Sequence, residues 1–148
     1  MAAWRYFSAL ADAYLAGGAR FIQMRAKQRS SASFLSMCED VVERAHALGA
    51  IVIVNDRADI ARLAGADGVH VGQDGISTAK IRQIMPNKII GRSTHSLEQA
   101  IAAIKGGADY IGCGPLFATP IKPDQRPVGL GLLKKIIKKV NVPVVAIG

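Results

Sequence analysis

Cysteine is scarce in this chain. Cys38 and Cys113 are the only two; they lie far apart without metal-ligand spacing, so a disulfide framework and a zinc site are both disfavoured and two packed thiols are expected. Aromatic residues make up only 5% of the sequence. None of them interleaves with the basic residues and no recognition motif is visible, which argues against a nucleic-acid partner. No apolar run approaches the length of a membrane span. The start, Met1-Ala-Ala-Trp-Arg5, leads into an amphipathic pattern rather than a signal peptide. A cytoplasmic protein with no membrane partner is expected. Acidic residues are also few, 11 against 19 Lys and Arg, for a net charge of +8. Part of that excess reads as a solvated helix face (Lys134, Lys135, Lys138 and Lys139) opposite Leu132, Leu133, Ile136 and Ile137. The rest is open to an anionic partner, and a small phosphorylated ligand needs only a few converging cations.

What is present is Ala, Ile and Val in alternating elements. With 148 residues, half of them apolar, residues 1–148 form one domain with a real core. Helical spacing is read around Phe7–Ala16, Ser33–Leu48, Asp59–Leu63, Thr78–Ile84, Leu97–Ile104 and Leu130–Val140. Strands are read at Arg20–Arg25, Ile51–Val54, Gly68–Val71, Lys88–Gly91, Asp109–Cys113 and Pro143–Ile147. Strand–helix alternation with nearly continuous apolar strands predicts an α/β fold with a parallel sheet covered by helices. An open doubly wound sheet and a closed barrel share that order, but no Gly-rich dinucleotide fingerprint follows the first strand. Nearly every strand ends in a polar or Gly-rich cluster, which favours a TIM (β/α)8 barrel. About six of its eight strands are found, and the expectation is an incomplete barrel lacking the first strand and the last βα units.

The chemistry-bearing residues fall at those strand ends. Strand alternation puts Gln23, Arg25 and Lys27 on one face, where a planar fork and a point charge suit phosphate oxygens. Asn55 and Asp56 follow the second strand; either residue would suit a helix cap, and Asp56 would also suit Mg²⁺. Asp74 adds a carboxylate after the third strand, and His70 inside that strand reads as a hydrogen-bonded core histidine. Ser93, Thr94 and His95 follow the fourth strand, offering hydroxyls for phosphate or a cap and an imidazole for proton transfer. No nucleophile–base arrangement points to covalent catalysis. A long Gly/Pro-stiffened loop from Gly112 to Pro123 carries Thr119 and Lys122, and loops of that length usually bind or cover a ligand.

Together these stretches resemble the thiamin phosphate synthase family. The resemblance rests on Gln23-Met-Arg-Ala-Lys27, Asn55-Asp-Arg57, Ala66-Asp-Gly-Val-His-Val-Gly-Gln73, Gly91-Arg-Ser-Thr-His95, Asp109-Tyr-Ile-Gly-Cys-Gly-Pro-Leu-Phe117, Thr119-Pro-Ile-Lys122 and Val144-Val-Ala-Ile-Gly148, and it covers almost the whole chain. It implies a (β/α)8 barrel that joins a pyrimidine methyl diphosphate to a thiazole phosphate with Mg²⁺, releasing diphosphate. It further implies that Gln23, Arg25, Lys27 and Asn55 bind the pyrimidine diphosphate, with Arg25, Lys27 and Lys122 acting on its leaving group. By the same resemblance Asp56 is a magnesium ligand, Ser93 and Lys122 are further diphosphate contacts, and Thr119 lies in the thiazole-phosphate stretch.

Three features depart from the family pattern. Gly75 stands where the family has its second magnesium ligand, leaving Asp74, one residue earlier, as the substitute. Ile121 replaces a second Thr of the loop. The chain also ends at Gly148, before the phosphate-binding turns of the family's last strands. Two other readings stay open. One is a thiazole tautomerase on the same barrel using His95; the other is an inactive or regulatory fragment that binds a phosphorylated ligand. Unpaired strand edges invite pairing and leave homo-oligomerisation open.

Overall fold

Why the strands sit where they do is clearest at Val52, Ile53 and Val54, β-branched residues with no exposed surface at all. The computed structural model describes residues 3–120 and 125–148. It divides into two units, Met1–Val69 and His70–Gly148.

The first unit contains α1 (Ala3–Ala16), β1 (Phe21–Met24), α2 (Ser31–Ala47), β2 (Ile51–Asn55) and α3 (Ala58–Leu63). Strand β3 (Gly68–Val71) crosses the division. β1 and β2 pair in parallel, Gln23 opposite Ile53 and Met24 opposite Val54. Ser30 caps α2 by accepting the Ser33 N–H. Phe34, Met37, Cys38, Val41, Val42 and Ala45 then bury one helical face. The Asp67 carboxylate accepts the Val52 N–H at 2.8 Å and meets His46 Nε2 at 2.9 Å, tying the loop before β3 to the start of β2.

The second unit contains α4 (Thr78–Ile84), β4 (Ile89–Thr94), α5 (Leu97–Lys105), β5 (Tyr110–Cys113), α6 (Gly129–Ile137) and β6 (Val144–Ala146). β4, β5 and β6 pair in parallel, with Ser93 opposite Gly112 and Gly112 opposite Val145. Ala100, Ala103, Ile111, Cys113, Leu116 and Ile136 form its core.

Two expectations are corrected. β4 does not stop at Gly91 but runs to Thr94, so Ser93 and Thr94 belong to the strand. Two of the polar side chains there are satisfied by backbone: the Thr94 hydroxyl donates to the Gly112 carbonyl at 2.9 Å, and Arg92 donates to the carbonyls of Gln73 and Ile76. On α6 Ile136 is buried, whereas Ile137 is 55% exposed rather than part of the packed face. Both cysteines are free and buried as expected, and burial, helped by the charge of Glu39, pushes the Cys38 thiol up to about 12. No helix among the described residues is long and apolar enough to cross a membrane.

Candidate active site

Each unit has its own cluster of chemistry-bearing residues. In the first, β1 ends at Met24, so Arg25 and Lys27 lie just beyond the strand, with Lys27 in a turn. The alternation nevertheless persists: Gln23, Arg25 and Lys27 are exposed, Met24 is buried and Ala26 half-buried. Arg25 and Lys27 line a cavity of about 280 Å³ together with Arg29, Asn55, Asp56 and Arg57. Gln23 is not among its lining residues.

Neither Asn55 nor Asp56 caps the following helix. The cap position of α3 is Arg57, without a side-chain bond to the backbone. Instead Asn55 Nδ2 donates to Asp56 Oδ2 at 2.7 Å, and Asp56 adopts a φ of 64°, a left-handed conformation uncommon outside glycine. Backbone held in such a region collects at functional sites. Arg57 grips both oxygens of Asp59, at 2.9 and 2.6 Å, and donates to Ser31 Oγ at 3.0 Å. That fork holds the Asp59 carboxyl below its ordinary range. Arg57 is thus neutralised, whereas Arg25, Lys27 and Arg29 form no ion pair among the described residues. Three cations without an ion-pair partner among the described residues thus line a cavity that also contains one carboxylate, Asp56.

Arg29 was not singled out from the sequence. The signal was available, because residues 25, 27 and 29 place cations at alternate positions; it was missed because the strand pattern was followed only to Lys27.

In the second unit a cavity of about 310 Å³ is lined by Ser93, His95, Thr119, Gln125, Ile147 and Gly148, among others. Ser93 Oγ lies 2.9 Å from His70 Nε2, and His70 Nδ1 lies 2.9 Å from the Tyr110 hydroxyl. His70 is therefore the buried, hydrogen-bonded histidine expected from the sequence, 4% exposed. His95 is oriented by backbone rather than by a carboxylate. Its Nδ1 bonds to the Gly114 carbonyl, so Nδ1 carries the proton and Nε2 is left as the basic nitrogen, with no hydrogen-bond partner among the described residues. Gln125 Oε1 is buried without a hydrogen-bond partner among the described residues; nothing in the sequence pointed to it. Asp74 sits exposed in the turn after β3 and is not among the residues lining this cavity. Lys122 and Ile121 lie outside the described residues.

A protein-family model described as "Thiamine monophosphate synthase" matches residues 3–148. The chain belongs to the thiamine monophosphate synthase family. Within it, the chain is 42% identical over 145 residues to the thiamine-phosphate synthase of Chloroflexus aurantiacus and 46% identical over 135 residues to that of Ruminiclostridium cellulolyticum. Those alignments take in 97% and 90% of this chain but 67% and 64% of the relatives. The chain thus spans about two thirds of the length of these curated family members. Among solved structures, the thiamine phosphate pyrophosphorylase of Pyrococcus furiosus matches 99% of the chain at 37% identity with a TM-score of 0.87, and the match spans 69% of that protein. The fold is accordingly the α/β fold of the family, an incomplete TIM-like (β/α) barrel with six strands among the described residues.

The family's magnesium can be tested against the residues present. Among the described residues no three His, Cys, Asp or Glu side chains gather into a metal cage. Magnesium seldom needs one: it takes one or two carboxylates and completes its octahedron with substrate phosphates and water. Asp56, in a cavity lined also by the cations Arg25, Lys27 and Arg29, fits that mode of binding.

Proposed function

We propose that this chain carries the synthase chemistry for which its relatives are named, coupling a pyrimidine methyl diphosphate to a thiazole phosphate to give thiamin phosphate and diphosphate. The observation that supports this most directly is the cationic cavity of the first unit, where Arg25, Lys27 and Arg29 have no ion-pair partner among the described residues and Asp56 supplies a carboxylate. Arg25 offers a bidentate fork and Lys27 a point charge to the diphosphate oxygens. Asn55 orients Asp56. Gln23 is a contact to the pyrimidine diphosphate, Ser93 and Lys122 add contacts to its phosphates, and Thr119 serves the thiazole phosphate.

In this chemistry the bond between the pyrimidine methylene and the diphosphate oxygen breaks, and the thiazole nitrogen takes the carbon. Charge accumulates on the leaving oxygens, and fixed cations that meet it there lower the barrier without a protein nucleophile. Mg²⁺, held by Asp56 and the substrate phosphates with Asp74 as a further candidate ligand, supplies charge neutralisation for the leaving group when bound. The test is an assay of the protein with both substrates, with and without magnesium. Thiamin phosphate and diphosphate should appear in equal amounts, and Lys27→Ala should depress the rate strongly. Coupling at the wild-type rate in Lys27→Ala would remove the diphosphate role.

One observation favours a second reading. The tautomer of His95 fixed by Gly114 leaves a basic nitrogen at a cavity, as a thiazole tautomerase requires. That activity would survive magnesium chelation and be lost in His95→Ala.

A further inference from the structure

The second unit contains a buried polar chain that the functional reading leaves unused. Tyr110, 6% exposed, meets His70 Nδ1 at 2.9 Å, and His70 Nε2 meets Ser93 Oγ at 2.9 Å. The two rings pack with centroids 5.4 Å apart. Neighbouring glycines give them room. A Cβ on Gly91 would fall on the Tyr110 ring, and one on Gly112 would lie 3.3 Å from His70 Cε1. Ser93 itself lines the 310 Å³ cavity, while the adjacent Thr94 spends its hydroxyl on the Gly112 carbonyl. Gln73 Nε2 donates to the Ser93 carbonyl at 2.5 Å and holds that peptide in place.

We propose that Tyr110 and His70 are positioning residues that turn the Ser93 hydroxyl into a one-way hydrogen-bond donor to an anionic phosphate oxygen in this cavity; this rests on the reading of Ser93 as a diphosphate contact. A neutral imidazole has one donor and one acceptor nitrogen. The phenol is a more acidic O–H than an aliphatic alcohol, with a reference pKa of about 10, so it takes the donor role toward Nδ1. The imidazole proton is thereby placed on Nε2, where it donates to Ser93 Oγ. With its lone pair engaged from that side, Ser93 directs its own proton away from His70 and toward the cavity. In the opposite tautomer Ser93 would donate to His70, and its hydroxyl could only accept, which repels a phosphate oxygen.

The experiment combines ¹⁵N NMR of the His70 ring with titration of inorganic diphosphate into wild-type and variant protein. In the wild type Nε2 should carry the proton, and in Tyr110→Phe the proton should shift at least partly to Nδ1. Ser93→Ala and His70→Asn should each weaken diphosphate binding about tenfold, the size of one hydrogen bond to a charged oxygen. His70→Gln, whose amide nitrogen reaches the Nε2 position, should restore binding, whereas the shorter Asn reaches only the Nδ1 position. A wild-type ring protonated at Nδ1 would overturn the relay even if every variant misfolded. Weakening by Lys27→Ala without weakening by Ser93→Ala or His70→Asn would also overturn it, while leaving the diphosphate site intact. Unchanged binding in Lys27→Ala and Ser93→Ala alike would overturn both readings.

Discussion

The ring of Tyr110 occupies the space that any side chain at position 91 would need. A Cβ built on Gly91 falls against Cζ, Cε1 and the hydroxyl oxygen of Tyr110, closer than real Cβ atoms approach. Glycine in the middle of β4 is therefore a packing requirement set by its partner in β5, where Gly91 and Tyr110 are in register. Gly91→Ala should cost about 1–3 kcal/mol, the usual range for overpacking a core, read as a lower urea midpoint. Gly112→Ala, whose nearest neighbour would be His70 Cε1 at 3.3 Å, should cost less. Equal stability of Gly91→Ala and wild type would show that the ring moves aside freely.

Much of the fold was legible in the sequence. The limits of β3 and α4 agree with the expected spans residue for residue, because turn residues bound them on both sides: Gly72 ends β3, and Ser77 caps α4 by accepting the Lys80 N–H. β4 was read three residues short because Arg92, Ser93 and Thr94 look like a loop. Arg92 and Thr94 are satisfied by carbonyls, and Ser93 meets the His70 ring, all contributed from residues far along the chain, which no local pattern reveals. For the same reason the partners of Ser93 and His95 could not be read locally: His70 and Gly114 lie 23 and 19 residues away. The exposed placement of Arg25 and Lys27 was legible because alternation persists past the end of β1.

Magnesium dependence should report on the carboxylates at the end of β3. If Asp74 supplies the charge that the family has one residue later, Asp74→Ala should raise the magnesium concentration for half-maximal coupling. Gly75→Asp in that background should lower it again. Space at position 75 is tight, since a Cβ there would lie 3.2 Å from both the Gly72 carbonyl oxygen and Val71 Cβ. Thermal melting of the variant should therefore accompany the titration. An unchanged magnesium curve in Asp74→Ala removes Asp74 from the metal site.

Cys38 should make the fold sensitive to alkali. Its thiol is raised from 9.0 to about 12 in the folded chain, chiefly by burial. A raised folded-state value means that the contribution to stability is complete below pH 9 and is lost as pH climbs toward 12. Urea midpoints measured from pH 8 to 11 should fall more steeply for wild type than for Cys38→Ala. Parallel curves would show that the thiolate is tolerated.

The two enzymatic readings separate at His95. Under the synthase reading His95→Ala should retain most of the coupling rate. Under the tautomerase reading it should abolish isomerisation of the thiazole, with or without a chelator. Assaying both reactions on the same preparation gives the comparison directly.

The claim on which the functional proposal depends is that Arg25, Lys27 and Arg29 together hold a diphosphate. Calorimetric titration of inorganic diphosphate at low ionic strength measures it directly, since exposed cations are screened by salt. Lys27→Ala and Arg25→Ala should each weaken binding by about tenfold or more, the scale of one charge-assisted hydrogen bond, and added salt should weaken it further. Wild-type affinity in both variants would contradict the proposal.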